Sequence, residues 1–139
     1  MRIMAIDYGD AHTGIAISDP TGFLAGFTTT IDAYRPEIVV QRITELARQH
    51  GAEELVLGHP KNMDGTLGPR SEKAEAMAAL LKEATGLPVV LWDERRTTID
   101  AHQILMAGGK NAKKRKKVVD AVAASLILEG YLTYKKSHS

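Results

Sequence analysis

Three short apolar runs, spaced by stretches long enough for helices, limit what this chain can fold into. Ile3-Met4-Ala5-Ile6, Leu55-Val56-Leu57 and Val89-Val90-Leu91-Trp92 are uniformly apolar but too short for helices. They read as strands, the first buried and Leu55-Val56-Leu57 buried on both faces. Pro36 opens a helix in its first turn, Val39, Ile43, Leu46 and Ala47 form its inner stripe, and Gly51 stops it. Pro69 starts another, with Ala74, Met77, Ala78 and Leu81 inward and Gly86 closing it. Strands separated by helices pair in parallel through crossovers. The opening is different. Residues 2–7 and Thr13 to Ser18 flank the short turn Gly9-Asp10-Ala11-His12, which favours a hairpin. Phe23 to Ile31 suits a third strand. Beyond Trp92, Thr97 or Thr98 can cap a helix carrying Ala101, Ile104 and Leu105 and ending at Gly108-Gly109. A final helix is expected from about Lys116 to Tyr134. Its apolar positions Val118, Val122 and Leu126, with Val119 and Ile127, cover much of its circumference. The prediction is one α/β domain over 1–139, with a five-stranded mixed sheet flanked by helices. Three antiparallel N-terminal strands come first, then parallel ones.

The 139 residues suit one domain with one substantial core. There is no cysteine, hence no disulfide and no thiolate site. Met1-Arg2 leads straight into a strand-like run without a cleavage pattern, and no apolar stretch approaches the ~18 residues of a membrane span. These features fit a cytoplasmic protein without a membrane partner. The net charge of +1 conceals a strong polarity. Lys110, Lys113, Lys114, Arg115, Lys116 and Lys117 bring six positive charges into eight residues, while the rest of the chain has 12 basic and 17 acidic residues. Such a block could neutralise phosphates and steer a polyanion, or could be a solvated linker.

Acidic residues stand where the fold could gather them. Asp7 ends the first apolar run, Asp93-Glu94 ends the last, and Asp120 lies in the closing helical pattern just after the lysines. Carboxylates cost free energy to desolvate unless compensated, so acids at buried strand ends point to a shared cation. Taken singly, each also fits a solvated acid.

The motifs carry a resemblance. Met4-Ala5-Ile6-Asp7-Tyr8-Gly9 with Gly14-Ile15-Ala16-Ile17-Ser18-Asp19 resembles the opening of the YqgF/RuvX family of RNase H-like nucleases. So do the stretch Val56 to Gly65 with Gly68-Pro69, and Leu91-Trp92-Asp93-Glu94-Arg95 with Thr97-Thr98. Lys114 through Asp120, Ala121 to Leu128 and Tyr131-Leu132 are similar to that family's closing helix. The resemblance implies an RNase H-like fold with the first strand central, and Asp7, Glu94 and Asp120 as catalytic acids holding Mg²⁺ or Mn²⁺. Strand alternation sends Asp93 and Glu94 to opposite faces, and the family pattern selects Glu94. Two departures stand out. Ala11-His12 occupies a turn where family members often have Lys or Arg, and His59 stands where a larger apolar residue is usual.

The expected activity is metal-dependent phosphodiester hydrolysis. Arg95 and Lys113, Lys114, Arg115, Lys116 and Lys117 would engage flanking phosphates, which positions substrate without reading sequence. Asn62 and Asp64 could contact substrate or simply make a turn. The partner implied is structured RNA or branched DNA, bound by a monomer or homodimer. The resemblance implies two substrates, the 5′ end of the 16S ribosomal RNA precursor and a four-way DNA junction; ribosomal RNA is the leading expectation. A non-catalytic nucleic-acid-binding factor is the alternative from another class. Phosphotransfer is a third, since D-x-G hairpins also occur in sugar kinases and actin-like ATPases, which use two such domains. The histidines show no metal spacing and suit surface or capping roles, His59 least securely. Trp92 suits the core better than a base-stacking platform.

Overall fold

The computed structural model describes residues 1–19, 25–59, 68–93 and 112–137, with backbone alone for 25, 69–70, 112–121 and 136–137. In chain order the elements are β1 (Arg2–Asp7), β2 (His12–Ser18), β3 (Ala25–Asp32), α1 (Pro36–His50), β4 (Ala52–His59), α2 (Pro69–Thr85), β5 (Val89–Asp93) and α3 (Ala112–Ser137). The sheet order is β3-β2-β1-β4-β5, so the first strand is central. β1 pairs antiparallel with β2, and β2 with β3, while β4 pairs parallel with both β1 and β5. This is the mixed sheet expected from the pattern of runs.

Alternation along each strand divides the interior into two cores. Met4 and Ile6, with Ile15, Ile17, Leu55 and Leu57, face α1 and α2 and pack against Val39, Ile43, Met77 and Leu81. Ile3 and Ala5, with Ala16 and Val56, face α3 and meet Ala124, Ile127, Leu128 and Tyr131. Both α1 and α2 begin with proline in the first turn. They end at Gly51 (φ 67°) and Gly86 (φ 70°), in the left-handed conformation that glycine adopts without a Cβ penalty.

Several boundaries differ from expectation, by a residue at the start of β2 and the ends of β3 and β5, and by more in β4 and α3. β4 extends on both sides of Leu55–Leu57, to Ala52 and His59. Its first turn of strand was hidden by Glu53 and Glu54, yet Glu54 is satisfied by Lys135 at 3.2 Å and by a hydrogen bond from the Tyr131 hydroxyl. α3 begins at Ala112, so Lys113 to Lys117 form its opening turns and are no linker. Of its expected apolar positions Ile127 is buried, Val122 and Leu126 are half-buried, and the side chains of Val118 and Val119 lie outside the described residues; Ala123, Ala124, Leu128, Tyr131 and Leu132 are buried as well. Apolar size misled here. Alanines on the helix, opposite Ala5 and Ala16 on the sheet, permit close approach. The helix expected after Thr97 or Thr98 lies outside the described residues. No helix among the described residues is long and apolar enough to cross a membrane.

Two outcomes follow from this packing. Ala124→Leu overfills the α3 interface and should lower stability by about 1–3 kcal/mol, read from urea unfolding. Burial, the hydrogen bond to Glu54, then the charges of Glu54 and Tyr134 push the Tyr131 phenol well above its ordinary value of 10.0. A raised pKa stabilises the protonated folded form, so that contribution is complete below pH 10.0 and is lost as pH rises through the folded value. Tyr131→Phe should therefore cost about 1 kcal/mol at neutral pH, with the gap to wild type closing in alkaline unfolding titrations.

Candidate active site

The parallel strands β1, β4 and β5 all deliver their carboxyl ends to one edge of the sheet. Ile6 is level with Leu57 and His59 with Asp93, so Asp7, His59 and Asp93 share that edge. Open α/β sheets place ligand sites at this edge.

Asp7 closes β1, opposite Gly14 of β2, and is half-buried. It shares the face of Ile3 and Ala5, which α3 covers. Among the described residues nothing donates a hydrogen bond to its carboxylate and no cation pairs with it. A carboxylate partly withdrawn from water without compensation is suited to an external cation.

Position 120 belongs to the same face. Its side chain is outside the described set, but α3 carries it one turn before Ala124, on the line continued by Ile127 and Tyr131. Lys135 meets Glu54 near the start of β4, so α3 runs opposite to β1 and β4. Tracing α3 backward from there leads past Ala5 toward the edge that bears Asp7. Glu94 lies outside the described residues, immediately after Asp93. Its neighbours two and four places earlier, Trp92 and Val90, pack on the α3 core. Asp93 has the opposite parity. Among the described residues no three potential ligands converge on one metal position.

Of the expected substrate contacts, Asn62, Asp64 and Arg95 lie outside the described residues. Lys113, Lys114, Arg115, Lys116 and Lys117 lie in the opening turns of α3, where the first turn has no acid. Lys116 and Lys117 precede position 120 by about one turn.

His59 departs from the surface role expected of the histidines. It is buried at the end of β4, with Nε2 3.2 Å from Glu75 Oε1 of α2. His12, half-buried, pairs with Asp32 at 2.7 Å and so ties the starts of β2 and the end of β3. Trp92 is half-buried against Tyr131 and Tyr134, a packing role. A second association went unseen in the sequence: Lys73 Nζ reaches Asp10 Oδ1 at 3.0 Å across a separation of 63 residues. No local spacing links the two, so only the fold reveals them.

The family profile described as "RuvX: Holliday junction resolvase" matches residues 1–134. The chain belongs to the RuvX family. A relative from Halothermothrix orenii, named "Putative pre-16S rRNA nuclease", is 45% identical over 135 residues, covering 97% of this chain and 96% of the relative. One of the same name from Geobacillus kaustophilus is 44% identical over 138 residues, covering 98% and 100%. Among solved structures, Thermus thermophilus RuvC in complex with a Holliday junction substrate superposes with a TM-score of 0.66 at 15% identity, covering 100% of this chain and 98% of that one. That likeness establishes the RNase H-like resolvase architecture of this RuvX chain.

The turn after Asp7 is sterically tight. A Cβ on Gly9 would overlap the His12 carbonyl oxygen. Gly9→Ala should therefore force the β1–β2 turn to move, lowering stability by about 1–3 kcal/mol in thermal unfolding.

Proposed function

We propose that this protein is a divalent-metal-dependent nuclease that hydrolyses phosphodiester bonds in nucleic acid. The observation that carries the reading is Asp7: a half-buried carboxylate on the central strand, without a compensating partner among the described residues, on the face roofed by the helix that bears position 120. Full-length membership of the RuvX family supports the same reaction class.

In this reading Asp7, Glu94 and Asp120 would hold Mg²⁺ or Mn²⁺, since hard cations prefer carboxylate oxygens. A divalent cation supplies activation of water and stabilises charge on the attacking and leaving oxygens. The chain itself orients the reaction. β1 is buried on both sides and ends at Asp7, so that carboxylate is held by the stiffest part of the sheet. The Lys113–Lys117 turns present cations that neutralise substrate phosphates and offset repulsion among the acids. Arg95, Asn62 and Asp64 are proposed to contact the substrate beside the cleaved bond. The protein acts in the cytoplasm, as a monomer or homodimer, through one domain spanning the chain.

The precursor of 16S ribosomal RNA, cut toward its 5′ end, is the substrate favoured by the names of the relatives that match over the full length. A four-way DNA junction is the second reading, favoured by the family description and the RuvC architecture. The deciding experiment incubates wild type and Asp7→Asn with a precursor-rRNA fragment and with a synthetic junction, in Mn²⁺ and in EDTA. The expected result is Mn²⁺-dependent cutting of the RNA that Asp7→Asn abolishes without loss of fold. Junction nicking with untouched RNA reverses the substrate. Cutting that persists in Asp7→Asn removes Asp7 from the chemistry, and tight, salt-sensitive binding without any cutting points to a non-catalytic factor.

A further inference from the structure

A cleft of about 390 Å³ opens on the other side of the same sheet edge, between the β1–β2 turn, the start of α1 and the exposed side of α2. Tyr8 and Tyr34 line it, with Lys73 and Asp10 at its rim and Met77 and Pro36 among its apolar walls. None of these residues belongs to the acidic trio. Its volume is in the range of small-ligand sites, roughly 300–1,000 Å³.

The tyrosines divide into two pairs. Tyr131 and Tyr134 are engaged with Trp92 and with each other. Tyr8 and Tyr34 make no ring contact among the described residues, and Tyr34 is 79% exposed. An aromatic side chain held so far out of the core, at the mouth of a cleft with apolar walls, is available for stacking. The polar rim adds charge selection. Lys73 pairs with Asp10, but both side chains are well exposed, at 59% and 80%, so the ion pair is weak and exchangeable. A phosphate can take the place of the Asp10 carboxylate on Lys73.

The cleft is one residue from the proposed chemistry. Tyr8 follows Asp7, their Cα atoms are about 3.8 Å apart, and alternation sends them to opposite faces of the edge. A strand lying across that edge would offer a phosphodiester to Asp7 on one face and its adjoining nucleotide to the cleft on the other.

We propose that the Tyr8–Tyr34–Lys73 cleft is a subsite for one unpaired nucleotide of the substrate strand, its base stacked on Tyr34 and its phosphate on Lys73. This rests on the nuclease reading and narrows it: the substrate must offer an unstacked nucleotide next to the bond that is cut. Stacking is indifferent to sugar type, so the subsite accepts an unpaired ribo- or deoxyribonucleotide.

Binding and cleavage are measured separately. The binding probes are single-stranded-tailed RNA and DNA oligonucleotides in EDTA, carrying 2-aminopurine or an abasic residue in the tail. The expected result is quenching of 2-aminopurine by wild type, lost in Tyr34→Ala with about a tenfold rise in Kd. Tyr34→Phe, which keeps the ring, should retain both. The abasic probe should bind wild type and Tyr34→Ala alike, because the group that the ring stacks upon is gone. Lys73→Gln should reduce the salt slope of binding by about 0.7, the contribution of one single-strand phosphate. Asp10→Asn, which frees Lys73, should tighten binding. Equal affinity of Tyr34→Ala and wild type for the base-containing probes overturns the subsite, as does equal weakening on base-containing and abasic probes. These readouts need no cleavage, so a wild-type protein that cuts neither RNA nor junction in Mn²⁺ would sink the nuclease reading without imitating either result.

Discussion

The central strand has no solvent face, and the rest of the structure is arranged to satisfy that condition. Ile3 to Ile6 are all buried, alternating between two cores. Each face requires its own cover: α1 and α2 on one side, α3 on the other. Both lateral edges of β1 are also occupied, by β2 and β4, which meets the hydrogen-bonding needs of its backbone. Beyond the last ladder pair with β2, Met4 with Ile17, β1 still finds a partner at Ser18. There the Ser18 hydroxyl accepts the Ile3 amide at 2.8 Å. Where β1 ends, burial falls abruptly, and the first side chain past the core on the α3 face is Asp7. Its partial burial is thus a consequence of the strand before it.

Much of this was legible in the sequence because strand burial leaves a direct trace. The runs in β1 and β4 are covered on both faces, whereas β5, at the sheet edge, leaves Leu91 39% exposed; three such runs separated by helical stretches still leave few sheet orders. Helix ends were equally plain, since Pro36, Pro69, Gly51 and Gly86 act through their own backbone geometry. What remained hidden depends on partners distant in sequence. Glu54 looked unsuited to a strand until Tyr131 and Lys135 are placed beside it. The inward face of α3 was misjudged because its contact is made through alanines, whose value lies in closeness rather than in apolar area. The candidate site follows the same division. Asp7 and Asp120 stand out by local context, and the choice of Glu94 over Asp93 needed the family resemblance as well as strand alternation. The Tyr8–Tyr34–Lys73 cleft left no local trace, because its walls come from three separate segments.

The placement of charge is consistent with a polyanionic partner. Basic residues at a helix N-terminus oppose the helix dipole, at a cost of up to about 1 kcal/mol each when exposed. The opening of α3 has no acid in its first turn and five cations from Lys113 to Lys117. Such an arrangement weakens the helix end in isolation, and a bound phosphate backbone relieves it. The same turns lead directly to position 120, so the basic block and that position share one helix.

The roof over the Asp7 face also has a temporal meaning. β1 opens the order of elements and α3 closes it, so Ile3, Ala5, Ala16 and Val56 stay uncovered until the chain as far as Leu132 is available. Contacts so distant in sequence form late, because a long loop must close before they repay its entropy. On the α1–α2 side the buried residues that pack with β1, β2 and β4 end at Leu81, with Leu87 and Val89 half-buried against them. A partly synthesised copy could therefore build one core and still lack the surface on which the proposed acids meet. The face that α3 covers is thus complete only when both ends of this order of elements are in place.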